Sequence, residues 1–177
     1  MDGTLVQSAE ANAAAYAMAL RDYDIIVDVA LLAPMIDGRS WRDFLPSLMA
    51  PRPDVSPETV ARRKRELYPQ SFHLLRLNES LTDLVRMLRK QLATALVTTA
   101  SSQAVTAIMK EFELADLFDV VVTGDHVTRP KPHPEGYAHA AARLGVSSSE
   151  CLVIEDSDTG VEAARAFGGG LLRWCPA

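Results

Sequence analysis

Cysteine is scarce in this chain of 177 residues, which carries only Cys151 and Cys175. Two cysteines cannot form the network of disulfides on which small secreted scaffolds depend, and their positions match no metal-ligand spacing. We therefore exclude a disulfide scaffold and predict two reduced thiols in a protein of a reducing compartment.

Long apolar stretches are missing as well. The apolar segments fall well short of the roughly 18 residues that a membrane-spanning helix requires. The chain does not open with a basic segment followed by an apolar run, so no signal peptide is predicted. These absences predict a cytoplasmic protein without a membrane partner.

Charge of one sign is not in large excess, because 18 Lys and Arg residues stand against 23 Asp and Glu residues, a net charge of −5. A mildly acidic chain has no general attraction to nucleic acid, so no such partner is predicted. Hydrophobic residues make up 48% and charged residues 23%, which excludes a disordered or collagen-like chain. The length fits one domain, or one domain with an insert, and we expect a monomer.

Short apolar runs alternate with helical segments in the second half of the chain. Four of these runs fit buried strands: residues 92–97, 120–123, 151–154 and 171–174. The alternation predicts an α/β fold with a parallel sheet. Residues 8 to about 80 are nearly all helical instead, so the chain is predicted to be an α/β core with an early helical insert.

Helical spacing also predicts which side chains are buried and where helices begin. In the predicted helix at residues 80–90, four apolar side chains share one face and are expected to be buried: Leu81, Leu84, Val85 and Leu88. Two other helices are predicted at residues 8–20 and 57–75. Ser8 opens the first and Ser56 directly precedes the second, and both serines are candidate N-caps.

Polar residues follow the predicted strands. Ligands of open parallel sheets bind at the carboxyl ends of the strands, so these residues are expected to face one crevice. They are Asp2, Gly3 and Thr4 at the start of the chain, Thr98 and Thr99, Lys131 between two prolines, and Glu155 with Asp156. Carboxylates bind Mg²⁺, while lysine and threonine bind phosphate oxygens. The set is suited to moving a phosphoryl group.

Four short motifs carry a resemblance to a known family. They are Asp2-Gly3-Thr4-Leu5, Val97-Thr98, Lys131-Pro132, and Glu155-Asp156-Ser157 with Gly160-Val161. Together they resemble the motifs of the haloacid dehalogenase-like (HAD) hydrolases, in particular the subgroup of β-phosphoglucomutase and phosphoglycolate-phosphatase-like enzymes. The resemblance implies a doubly wound, Rossmann-like parallel sheet formed by residues 1–7 and 81–177. Residues 8–80 would then be a helical cap inserted after the first motif.

The resemblance also implies a Mg²⁺-dependent phosphatase that acts on a small phosphorylated metabolite. In this family a first aspartate attacks phosphorus and becomes an aspartyl phosphate, which divides one hard step into two. Asp2 matches the second aspartate, which protonates the leaving group and later activates water. Thr98 and Lys131 match the residues that hold the oxygens of the transferring phosphoryl group.

Binding residues are implied in the same way. Gly3, Thr99 and Arg39 are further candidates for contacts with phosphate or substrate. The Mg²⁺ ligands are expected to be Asp2, through its backbone carbonyl, together with Glu155 and Asp156. Of these, Asp156 matches the direct carboxylate ligand, and Glu155 is expected to act through a water molecule or through another ligand.

The sequence departs from the family pattern at its start. The pattern is Asp-x-Asp-Gly-Thr, and Met1 occupies the x position. The nucleophilic aspartate and the apolar strand that leads into it would therefore precede Met1. We expect a truncated chain, shortened also at its C-terminal end, which lacks the first core strand and has little or no turnover as written.

The insert favours a phosphatase over a mutase. Mutases of this subgroup carry a histidine near the start of the first cap helix, where this chain has Asn12. They also carry an arginine at a position that Trp41 fills here, although Arg39 lies close by. Arg39, Lys64 and Tyr68 are the candidates to face the substrate from the cap.

Four alternatives remain open. A phosphomutase like β-phosphoglucomutase is the first. A 2-haloacid dehalogenase uses the same fold without metal, but Glu155 and Asp156 suit a divalent cation and would repel a carboxylate substrate. A signalling receiver domain places its acidic pair before its hydroxyl and lysine, whereas here the pair follows both. A non-catalytic phosphate-binding protein becomes the leading interpretation if Met1 is the natural start.

Overall fold

A computed structural model describes residues 1–36 and 39–175 and divides the chain into two compact units. One consists of Met1–Val6 and Leu77–Ala177, the other of Gln7–Arg76. In these described residues no helix is long and apolar enough to cross a membrane. The elements are β1 (Val6–Gln7), α1 (Ala9–Arg21), α2 (Val29–Ile36), α3 (Trp41–Leu48), α4 (Pro57–Leu67), β2 (Arg76–Leu77), α5 (Glu79–Leu88), β3 (Ala95–Val97), α6 (Ser102–Glu111), β4 (Val120–Val122), α7 (Glu135–Leu144), β5 (Leu152–Glu155), α8 (Asp158–Phe167) and β6 (Gly170–Arg173).

Parallel strand pairs form the sheets of the first unit, which we call the α/β unit. Strand β3 pairs with β4, with Ala95 opposite Val120, and β5 pairs with β6, with Leu152 opposite Gly170. Each pair is connected through a helix, as parallel strands require. The predicted α/β fold is thereby confirmed. Among the described residues the two pairs remain separate sheets. The family resemblance predicts one parallel sheet with a further strand in its middle.

Helix α5 differs from its prediction. Its start is fixed by Asn78, whose side chain accepts a hydrogen bond from the backbone N–H of Leu81 at 3.2 Å. Leu81 is buried, but Leu84 is 43% and Leu88 is 39% exposed. The expected burial of the whole face is therefore wrong, because only the first turn of the helix is covered by the described part of the unit.

Helix α1 lies at the centre of the second unit, which we call the helical unit, and packs against α2 and α4. Small side chains on α1 let these helices approach closely, since Ala13 and Ala19 are fully buried. The ring of Tyr16 meets that of Phe44 edge to face, with 5.0 Å between ring centres, a favoured aromatic geometry. The other large buried side chains of this core are Leu20, Ile25, Leu32, Ile36, Leu45, Met49, Val60 and Leu67.

Two predictions about helix ends have different outcomes. The Ser56 side chain caps α4 by accepting from the backbone N–H of Thr59 at 3.3 Å, as expected. Ser8 makes no side-chain cap bond to α1. The predicted helix at residues 57–75 is also interrupted, because α4 ends at Leu67 and Tyr68–Leu74 forms a 3₁₀ helix. Pro69 has no N–H to donate to the preceding turn, which explains the interruption.

Leu45→Ala tests the core of the helical unit. Leu45 is fully buried in α3, so the substitution should lower the free energy of unfolding by about 2–5 kcal/mol through lost burial and the cavity that remains. Urea unfolding followed by circular dichroism measures this loss. Leu31→Ala is the matched control, because Leu31 is 69% exposed in α2 and its truncation should change stability by less than about 0.5 kcal/mol. Equal losses in both variants would contradict this core assignment.

Candidate active site

The first motif forms a tight turn against the fourth motif. The Met1 carbonyl accepts hydrogen bonds from the backbone N–H groups of Leu5 at 2.8 Å and Val6 at 3.0 Å. Gly3 has a φ of 73°, a left-handed conformation that glycine adopts without steric cost. A Cβ at this position would overlap the Asp156 carboxylate. The turn therefore brings Gly3 directly against Asp156.

Thr4 adds a second link between these motifs. Its side chain is buried, and its hydroxyl donates a hydrogen bond to Oδ1 of Asp156. A hydrogen bond to a carboxylate fixes the direction of that side chain. Thr4 was predicted to lie in the crevice without a role of its own, and the structure shows that it orients Asp156.

Lys131 connects the second, third and fourth motifs. Its ammonium donates to Oε1 of Glu155 and to the carbonyl oxygen of Val97, the latter at 3.4 Å. The side chains of Lys131 and Glu155 are only 12% and 6% exposed. Burial opposes ionisation of Glu155, but the charge and hydrogen bond of Lys131 outweigh it and hold the pKa of Glu155 below its usual range.

Glu135 holds the loop that carries Lys131, a role that sequence reasoning missed. Its carboxylate accepts from the backbone N–H groups of Thr128 at 2.7 Å and Arg129 at 3.2 Å, and from Nε of Arg129 at 3.1 Å. These bonds, with the N–H of Thr128 as the largest cause, lower the pKa of Glu135 to about 2. The only sequence signal is an acidic residue in the first turn of α7, where a helix favours negative charge.

Thr98 lies directly after β3, as predicted. It is buried, its backbone N–H donates to the Val122 carbonyl at 2.9 Å, and its hydroxyl accepts from the backbone N–H of Ala100 at 3.1 Å. The adjacent Val97 carbonyl contacts Lys131, so the hydroxyl-bearing strand end and the lysine meet. Thr99, the next residue, is exposed.

Both carboxylate oxygens of Glu155 accept hydrogen bonds from the protein. Oε2 accepts from the backbone N–H groups of Asp156 at 2.9 Å and Ser157 at 3.2 Å, and from the Ser157 hydroxyl at 3.1 Å. Oε1 accepts from Lys131 and from the hydroxyl of Tyr137 at 3.0 Å. A carboxylate engaged in this way supports the turn and the lysine. Tyr137, like Glu135, is a site residue that the sequence motifs did not indicate.

The donor set fits Mg²⁺ through Asp156 and Asp2. In residues 1–36 and 39–175, no three His, Cys, Asp or Glu side chains lie close enough to hold a metal ion. Mg²⁺, however, is commonly held by one or two carboxylates, with water and substrate oxygens completing its shell. The Asp156 carboxylate and the backbone carbonyl that joins Asp2 to Gly3 are such oxygen donors. The oxygens of Glu155 are already engaged, which agrees with an indirect role for that residue.

The candidate substrate residues of the insert belong to the helical unit and are described within it. Arg39 is exposed, and its guanidinium donates to the Met35 carbonyl at 3.5 Å. The Lys64 ammonium donates to the side-chain oxygen of Asn12 and lies 3.8 Å from the centre of the Tyr68 ring. The roles of these residues toward a substrate stay predictions.

The fold and these contacts are typical of a Rossmann-like enzyme that acts on phosphorylated compounds. The family model described as haloacid dehalogenase-like hydrolase matches residues 1–168. The chain therefore belongs to the haloacid dehalogenase-like hydrolases, and the predicted family, fold and enzyme class are confirmed.

Relatives within this family include named phosphatases. Fructose-1-phosphate phosphatase from Escherichia coli is 31% identical over 169 residues, which are 95% of this chain and 89% of the relative. Phosphoglycolate phosphatase from Salmonella paratyphi A is 30% identical over 191 residues, covering 95% of this chain and 76% of the relative. The crystal structure of a putative β-phosphoglucomutase from Thermotoga maritima matches with a TM-score of 0.80 and 29% identity, covering 100% of this chain and 85% of that chain.

Gly160→Ala tests how closely α8 packs on the Glu155 carboxylate. Replacing glycine by alanine within a helix ordinarily stabilises it by about 0.5–1 kcal/mol. At Gly160 the new Cβ would overlap the carboxylate of Glu155, so we expect a loss of about 1–3 kcal/mol instead. Urea unfolding measures whether the substitution raises or lowers the free energy of unfolding.

Glu162→Ala is the control for this substitution, because Glu162 is an exposed residue of the same helix. Its truncation should change the free energy of unfolding by less than about 0.5 kcal/mol. A Gly160→Ala chain that is more stable than the unsubstituted chain would refute the close packing of helix and carboxylate.

Proposed function

We propose that this hydrolase cleaves a phosphate monoester of a small metabolite, with Mg²⁺ as cofactor and an aspartyl phosphate as intermediate. The observation that carries the proposal is one continuous set of contacts: Val97 beside Thr98 binds Lys131, Lys131 binds Glu155, and the turn after Glu155 carries Asp156. The named phosphatases among its relatives support phosphorylated metabolites as the substrate class.

In this proposal the charged and hydroxyl groups divide the work. The Lys131 ammonium and the Thr98 hydroxyl bind phosphoryl oxygens and stabilise the charge that develops there. The Asp2 carboxylate gives a proton to the leaving oxygen and later takes one from the attacking water. Mg²⁺, held by Asp156 and the Asp2 carbonyl, would neutralise charge on the phosphoryl group when bound.

The mechanism also requires a carboxylate that attacks phosphorus. In the Asp-x-Asp pattern this is the residue joined to the backbone nitrogen of Met1. The turn that begins with Met1 lies against Asp156, so a residue attached to that nitrogen would enter the same cluster of charges. An aspartate at that position would lie beside the groups proposed to hold the phosphoryl group.

A phosphomutase is the second candidate, and the putative β-phosphoglucomutase among the solved structures is its support. Asn12 favours the hydrolase. Its side chain donates to the Ser8 carbonyl at 3.0 Å and accepts from Lys64, and a carboxamide does not ionise near neutral pH, so it is neither a general acid nor a general base. The proton relay of a mutase would need an ionisable group at that position.

Release of inorganic phosphate from a panel of phosphate monoesters tests the proposal. Two versions of the protein are compared, the 177-residue chain and one extended by an apolar strand that ends in aspartate directly before Met1. We expect activity in the extended version alone, and only with Mg²⁺, because the chain as given lacks the attacking carboxylate. Equal activity in both versions would contradict the assigned nucleophile.

Lysine variants of the extended version provide the matched control. Lys131→Met should lower kcat by about 100- to 1,000-fold, the usual effect of removing one group that stabilises transition-state charge. Lys110→Met should leave kcat unchanged, because Lys110 is exposed on α6. Similar losses in both variants would argue against a specific role for Lys131.

A further inference from the structure

The hydroxyl of Tyr137 and the ammonium of Lys131 share one acceptor oxygen. Both groups donate to Oε1 of Glu155, the tyrosine hydroxyl at 3.0 Å. The ammonium of Lys131 also lies 4.9 Å from the centre of the Tyr137 ring. Tyr137 thus touches the ion pair in two ways, through its hydroxyl and through its ring face.

Packing leaves the tyrosine ring little freedom. Tyr137 is buried in a cluster with Val153 and Ala163, and its ring centre is 5.9 Å from that of Phe167. Burial, followed by the charge of Glu155, raises the pKa of Tyr137 above its usual range, so the phenol stays protonated and donates. The packing of the ring therefore keeps the Tyr137 hydroxyl within hydrogen-bond distance of Glu155.

The two oxygens of Glu155 differ in what they accept. Oε2 accepts hydrogen bonds from three donors of the following turn, at Asp156 and Ser157. Its hydrogen bonding is therefore satisfied without Lys131. Among residues 1–36 and 39–175, the donors to Oε1 are Lys131 and Tyr137 alone. Each hydrogen bond withdraws negative charge from the oxygen, and removal of one buried donor leaves the carboxylate to bind the other more strongly.

We propose that Tyr137 is a positioning residue whose hydroxyl shares Glu155 with Lys131 and so leaves the lysine ammonium available to a phosphoryl oxygen. The inference rests on the proposed function, in which Lys131 binds phosphate. Without the hydroxyl, Lys131 is the sole donor to Oε1 in the described part of the chain and binds Glu155 more strongly. Tyr137→Phe isolates this effect, because it removes the hydroxyl and keeps the ring beside the lysine and Phe167.

Amine acylation of the full chain measures the availability of Lys131 directly. The folded protein is treated with a small amine-acylating reagent, and mass spectrometry gives the rate at Lys131 relative to the exposed Lys110 in the same molecules. We expect Tyr137→Phe to lower this ratio roughly threefold to tenfold, the range of a single buried hydrogen bond. An unchanged or higher ratio would overturn the proposal.

Repeating the acylation in a Glu155→Gln chain distinguishes an effect of Tyr137 through Glu155 from a general loosening of the fold. In a Glu155→Gln chain, Lys131 has no carboxylate to pair with, so adding Tyr137→Phe should leave the acylation ratio unchanged. If Tyr137→Phe lowers the ratio equally in both backgrounds, the hydroxyl does not act through Glu155 and the proposal is wrong.

Binding of inorganic phosphate, measured by titration calorimetry with Mg²⁺ present, distinguishes this inference from the proposed function. The unsubstituted chain should bind phosphate, and Tyr137→Phe should raise Kd roughly threefold to tenfold. Equal affinities would overturn the inference while the proposed function stands. Failure of the unsubstituted chain to bind phosphate would count against the proposed function, and the acylation ratio would still decide the role of Tyr137.

Discussion

The buried pair of Lys131 and Glu155 is the interaction on which the candidate site depends. Moving two charges out of water costs several kcal/mol for each ion, and the pair compensates only when the other hydrogen-bonding positions are also filled. Here they are filled by the turn that follows β5 and by Tyr137 on α7. One carboxylate therefore joins a loop, a turn and a helix, and it fixes the position of the cation proposed to bind phosphate.

The rest of the site follows from how closely the backbone approaches the acids. Gly3 lets the first turn lie against Asp156, and Gly160 lets α8 begin against Glu155. Two neighbouring carboxylates consequently have different surroundings. Glu155 is almost wholly buried and engaged on both oxygens, whereas Asp156 is partly exposed and is oriented by Thr4. This difference supports the proposed direct metal contact of Asp156, and it leaves Glu155 to hold Lys131.

Periodicity and contiguous motifs predicted the α/β fold and the family, because both depend on residues close together in the chain. Contacts between distant residues were not predictable in this way. Helical spacing can place Tyr137 on an inward face of α7, but it does not reveal that the hydroxyl reaches Glu155. The exposure of Leu84 and Leu88 was missed for a related reason, since spacing shows that they share a face and not what covers it. The end of α4 could have been predicted, because Pro69 is visible in the sequence.

A double-mutant cycle on the free energy of unfolding tests the central claim most directly, with Lys131→Met and Glu155→Gln made singly and together. If the buried pair organises the site, each single change leaves a charge or its partner unsatisfied and should cost about 3 kcal/mol. The double variant should then lose less than the sum of the two, by about 2 kcal/mol. Additive losses, equal to the sum within about 0.5 kcal/mol, would show that the two side chains do not depend on each other and would contradict this account.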